Sequence, residues 1–123
     1  MVETILAVVD DLFFLSKIQQ TAKLVGVTVE PVALGKLADR AAQGGVSAVV
    51  VDLNHRSGSV LDAVRAVKAE AKTGGMRVVG FLSHVQTDLA VAAREAGCDQ
   101  VLARSAFSQR LPELLQELEK TDR

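Results

Sequence analysis

The sequence predicts an α/β domain, a doubly wound five-stranded parallel sheet with helices on both faces. Three observations carry this. Four short apolar runs recur, Ile5 to Val9, Val46 to Val51, Val78 to Leu82 and Val101 to Ala103, each too short for a helix and mostly rich in β-branched residues; a fifth, Val27 to Val32, alternates. Segments with helical spacing separate them. Glycines stand at Gly26, Gly44-Gly45, Gly74-Gly75 and Gly97, where each helix has to end and turn back toward a strand. Strands apolar on both faces and joined by helical crossovers form a parallel sheet covered on both sides, and right-handed crossovers then set helices on each face.

In order, strands are expected near 4–9, 27–33, 46–51, 77–82 and 100–103, and helices near 12–25, 35–43, 59–72, 86–96 and 108–120. The third helix shows Leu61, Val64 and Lys68 at helical spacing with Ala63, Ala66 and Val67 around them. In the last, Leu111, Leu114, Leu115 and Leu118 form a stripe, and Pro112 suits a first turn, where a missing N–H costs nothing. At 123 residues, 49% of them hydrophobic, one domain spanning 1–123 with a sizeable core is expected.

Charge and composition narrow the function. Lys plus Arg total 14 against 15 Asp plus Glu, a formal charge of −1, so no basic field draws in nucleic acid or an anionic membrane. Aromatic residues make up 3%, with no Trp or Tyr, which leaves little for base stacking. No direct nucleic-acid or membrane partner is expected. No apolar stretch approaches the roughly 20 residues of a membrane span. The start of the chain lacks the basic end and apolar run of a secretory leader, and the lone Cys98 has no internal partner, so a reducing cytoplasm is expected. Cys98 beside Gly97 reads as a small buried residue and not as a reactive thiol.

Ligands of open parallel sheets sit beyond the carboxyl ends of the strands, where the strand order reverses. There the sequence sets Asp10-Asp11 after the first strand, Asp52-Leu53-Asn54 at the third, Ser83-His84 at the fourth and Arg104-Ser105 at the fifth. Three carboxylates, a hydroxyl and a cation meet on one edge.

With "ILAVVDD", "AVVVDLN", "VVGFLSH" and "REAGCDQVLARSAF" in this order, the chain resembles the receiver domains of response regulators from Ile5 to about Leu118. The resemblance implies the flavodoxin-like receiver topology and a two-component phosphorelay function, with an aspartyl phosphate altering protein–protein interaction and no turnover of a separate metabolite. It implies that Asp52 is the phosphoacceptor, that Asp10, Asp11, Asp52 and the backbone carbonyl of Asn54 hold Mg²⁺, and that Ser83 and Arg104 contact phosphoryl oxygens. Electrostatics agrees, because crowded carboxylates repel and a hard divalent cation with oxygen ligands relieves them. The implied partners are a sensor histidine kinase or phosphotransfer protein and a downstream protein; a homodimer stays open.

Several positions depart from that pattern. Arg104 replaces a lysine, and Ser105 replaces a proline that follows a cis peptide bond. Val101 replaces an inward-swinging aromatic. His55 and His84 stand in loops, where the plain reading is a solvated histidine. A valine cannot alternate between poses that differ much in buried area. The surface of helices 86–96 and 108–120 is therefore expected to be preset, with events at Asp52 felt in the loops carrying Asn54, His55, Arg56 and Ser83 to Val85. Plain alternatives stand beside the site residues: the strand-end carboxylates as solvated turns or helix caps, with Asp11 capping the first helix, Ser83 as a turn residue, Arg104 as a surface charge paired with Asp10 or Asp52. Two other readings are a pseudo-receiver, an interaction module that is not phosphorylated, and a cofactor-binding flavodoxin-like domain. The latter rests on "DLNHRSG", in which Asn54 stands where a cobalamin loop carries histidine; flavin lacks a phosphate-cradling loop after the first strand.

Overall fold

A computed structural model describes residues 3–56, 59–70, 73, 75–83 and 86–120. Five strands, β1 (Thr4–Val8), β2 (Thr28–Pro31), β3 (Val46–Asp52), β4 (Arg77–Leu82) and β5 (Gln100–Ala103), form one sheet in the order β2-β1-β3-β4-β5. Every pairing is parallel. The helices are α1 (Leu12–Val25), α2 (Leu37–Ala42, preceded by a 3-10 turn at Leu34–Lys36), α3 (Val60–Ala69), α4 (Thr87–Ala96), α5 (Arg104–Gln109) and α6 (Leu111–Glu119).

The two apolar faces of the central strands explain the layers. Leu6, Val8, Val49, Val51, Val78 and Leu82 pack on one side against Leu37 and Ala41 of α2, Val60, Val64 and Val67 of α3, and Ala93 and Ala96 of α4. Ile5, Ala48, Val50, Val79 and Phe81 face the other side, against Phe14, Ile18 and Ala22 of α1, Phe107 of α5, and the leucine stripe of α6. All seven residues of β3 are buried, as a strand covered on both faces requires. Gly26 closes α1 at φ +76°, and Val27 N–H reaches back to the Ala22 carbonyl at 2.9 Å.

Two expectations need correction. The segment expected as a strand to residue 33 ends at Pro31, with the Val32 N–H making a last bond to the Ala7 carbonyl at 3.0 Å before the 3-10 turn at Leu34, and β2 is an edge strand, where a proline is tolerated. The helix expected over 108–120 is two helices, and the chain turns helical at Arg104, directly after β5. The break has a covalent cause. Pro112 cannot donate to the Ser108 carbonyl and its ring would press on it, so the ladder stops at Arg110 N–H to Ala106 O (3.1 Å) and restarts with Leu114 N–H to Arg110 O (2.8 Å). Arg104 opens α5 at the carboxyl edge of the sheet. Among the described residues no helix is long and apolar enough to cross a membrane.

Candidate functional site

β2 lies on one side of β1 and β3 to β5 lie on the other, so the strand order reverses between β1 and β3. Beyond their carboxyl ends stand Asp10, Asp11 and Asp52. Asp52 is the last residue of β3 and only 3% exposed. Its Oδ1 accepts the Asn54 backbone N–H at 2.9 Å, and its Oδ2 lies 3.8 Å from Nη2 of Arg104, a charge contact longer than a hydrogen bond.

Asp11 serves two partners with two oxygens. Oδ1 caps α1, accepting from the backbone N–H groups of Phe13 (2.9 Å) and Phe14 (3.2 Å), and Oδ2 accepts from Nη1 of Arg104 at 3.2 Å. The Phe14 amide above all, then the Arg104 guanidinium, hold its carboxyl below the usual carboxylate range. Two of the plain alternatives are therefore present, the Asp11 cap and an Arg104–Asp52 charge pair. Asp10 turns elsewhere: its Oδ2 meets Nε of Arg56 at 3.1 Å. The Arg56 side chain is 90% exposed, and a pair so open to solvent is worth about 0–1 kcal/mol.

Arg104 is held more firmly. Its guanidinium carbon lies 4.4 Å from the centre of the Phe14 ring and 5.6 Å from that of Phe81, and its Nε is buried without a hydrogen-bond partner among the described residues. The rings form a cluster of their own, with Phe81 stacked on Phe107 at 4.8 Å and Phe14 tilted against Phe81 at 5.0 Å. Neither Phe14 nor Phe81 stands out in the sequence as a site residue. Their spacing marks them as core, which they also are.

Asn54 ties the rim together through its side chain. Its Oδ1 accepts the Ser83 N–H at 2.7 Å and its Nδ2 donates to Oε1 of Gln86 at 2.8 Å, joining the loop after β3 to both flanks of the loop after β4. Ser83 is exposed just beyond β4, at the same edge. His84 and Val85 lie outside the described residues. Val101 is partly buried and packs against the α2–α4 side of the sheet.

The structure thus gathers Asp11, Asp52 and Arg104, places Asn54 and Ser83 beside them, and turns Asp10 toward Arg56. Among the described residues no three acidic, histidine or cysteine side chains are arranged as a metal-binding group. The donor chemistry nevertheless suits a hard divalent cation, since Asp10, Asp11, Asp52 and the Asn54 carbonyl offer only oxygen. An ion there meets two guanidinium groups already on the carboxylates.

No family model and no curated protein matches the sequence. Solved structures do. A response regulator from Hahella chejuensis superposes with a TM-score of 0.86 at 16% identity, covering 98% of both chains. The chemotaxis response regulator CheY4 of Vibrio cholerae gives 0.82 at 17% identity, covering 96% of this chain and 99% of that one. The Mn(2+)-bound form of response regulator Rcp1 gives 0.77 at 16% identity, covering 98% and 97%. The fold is that of response-regulator receiver domains.

Proposed function

We propose that the chain is a receiver domain of two-component signalling, acting in the cytoplasm by accepting a phosphoryl group on Asp52 and altering its affinity for a downstream protein. One observation carries the reading: a carboxylate 3% exposed at the end of the central strand, at the reversal of strand order, with Asp10 and Asp11 across from it. The Asn54 N–H fixes the Asp52 carboxylate through Oδ1, and that carboxylate supplies the oxygen that attacks phosphorus. The bond from phosphorus to a histidine nitrogen of the donor breaks as the new bond forms, and the imidazole leaves on the donor, a sensor histidine kinase or phosphotransfer protein. Arg104 and Ser83 would receive phosphoryl oxygens, a role supported by the guanidinium 3.8 Å from Oδ2 of Asp52 and by the position of Ser83 at the same edge of the sheet. Mg²⁺ would be held by Asp10, Asp11, Asp52 and the backbone carbonyl of Asn54, and would supply charge neutralisation to the transferring group.

A second reading is favoured by Arg104, whose two terminal nitrogens already face Asp11 and Asp52. It is a pseudo-receiver that binds partners without phosphorylation. Treatment with a small phosphodonor and Mg²⁺, followed by intact mass, separates the two. One added phosphoryl group, lost in Asp52→Asn, supports the phosphoacceptor. An adduct retained in Asp52→Asn moves the chemistry elsewhere, and no adduct despite metal binding supports the pseudo-receiver.

A further inference from the structure

We infer that Phe14 and Phe81 clamp Arg104 as a built-in cation of the acidic pocket, so that a divalent ion binds in competition with its guanidinium for Asp11 and Asp52. The inference rests on the metal site proposed above and concerns how that site is regulated.

Asp11 spends Oδ1 on the two N–H groups at the start of α1, and Asp52 spends Oδ1 on the Asn54 N–H. Each carboxylate keeps one oxygen outside the backbone ladder, and Arg104 faces both: Nη1 lies 3.2 Å from Oδ2 of Asp11 and Nη2 lies 3.8 Å from Oδ2 of Asp52. An ion reaching for these carboxylates therefore meets the positive guanidinium at both of them. The guanidinium does not stand there by charge alone. It lies 4.4 Å from the Phe14 ring centre, a cation–π distance, on a ring that is itself only 8% exposed and locked against Phe81. A lysine at this position would have no planar face to lay on the rings and could withdraw along its stem. Phe14 is thus a positioning residue that acts through Arg104. Arg56 is the contrast, an exposed cation on Asp10 with no such clamp.

The test is Mg²⁺ titration of the full chain, followed by amide chemical shifts, in the wild type and four variants. Arg104→Gln is expected to bind about tenfold more tightly, equivalent to ~1.4 kcal/mol. Phe14→Leu changes no charge and is expected to tighten binding roughly two- to fivefold, the worth of a cation–π contact. Arg104→Lys, which keeps the charge and loses the stacking face, should move the same way and stands in if Phe14→Leu loses its dispersed amide spectrum. Arg56→Gln should stay within about twofold, because an exposed charge is screened. Unchanged or weaker affinity in Phe14→Leu and Arg104→Lys overturns the clamp while the metal site stands. Equal tightening in Arg56→Gln and Arg104→Gln also overturns it, in favour of unspecific charge. No saturable binding in any variant, Arg104→Gln included, removes the metal site and the inference together.

Discussion

Phe107→Ala should be among the most damaging single changes outside the acidic pocket. Phe107 is 0% exposed and anchors α5 from its second turn, three residues after Arg104. Its ring stacks on Phe81 at 4.8 Å and tilts against Phe14 at 5.8 Å. Truncation removes the transfer free energy of a buried ring and leaves a cavity that rigid neighbours from β4 and α1 fill only in part, together costing about 3–5 kcal/mol. Part of that sum is the aromatic pairing, worth about 0.5–1.5 kcal/mol for each contact. In a domain of this length the loss lowers the melting temperature by roughly 10–20 °C. Urea unfolding monitored by circular dichroism measures it, with Phe107→Leu as the control that keeps most of the volume and costs about 1–1.5 kcal/mol. A loss below ~1 kcal/mol for Phe107→Ala would show that the ring cluster does not seat α5, and the geometry offered for Arg104 would lose its foundation.

Two further outcomes follow from the glycine and the cysteine between α4 and β5. Gly97 has φ +124°, and a Cβ there would stand 2.6 Å from Cγ of Lys68, whose ammonium is pinned to the Met76 carbonyl (2.7 Å) and to Asp99 (2.8 Å). Gly97→Ala should cost about 1–3 kcal/mol in thermal unfolding, and a neutral result would mean that the Lys68 stem gives way freely. At Cys98, burial first and the Asp99 charge second push the thiol from its ordinary 9.0 up to about 11. A folded value above the unfolded one stabilises fully below the unfolded pKa and is lost as pH rises through the folded one, so this contribution fades between about pH 9 and 11. Alkylation by iodoacetamide at pH 8 should be far slower in the native protein than in urea, and equal rates would contradict the protected thiol.

The sheet was legible because its strands are apolar on both faces. Val46 to Val51 could hardly be placed anywhere but at the centre, and it is there, flanked by β1 and β4. The placement of Asp52 at the reversal of strand order follows from that position. The start of the last helical region was not legible, because Arg104 to Gln109 is short and has one large apolar residue, too few to show a period. At the pocket, spacing along the chain could not tell which aspartate Arg104 meets. That is decided by the backbone of α1, whose first N–H groups draw Oδ1 of Asp11 and turn its other oxygen toward β5. The linking role of the Asn54 side chain is not written in the sequence for a similar reason, since Ser83 N–H and Gln86 become its neighbours only once two loops are set side by side. The Arg104 platform of Phe14 and Phe81 is made of residues that also fill the core, and core duty conceals any second role.

The contact between Asp11 and Arg104 spans 93 positions of the chain. A ribosome delivers Asp11 and Asp52 long before it delivers the guanidinium that lies between them, and until then the repulsion of these two carboxylates has no arginine to offset it. Closing so long a loop is entropically slow, yet it is this closure that relieves the repulsion. β5 and the first residue of α5 thus supply the pocket's counter-charge last: a chain arrested before Arg104 carries no guanidinium for Asp11 and Asp52.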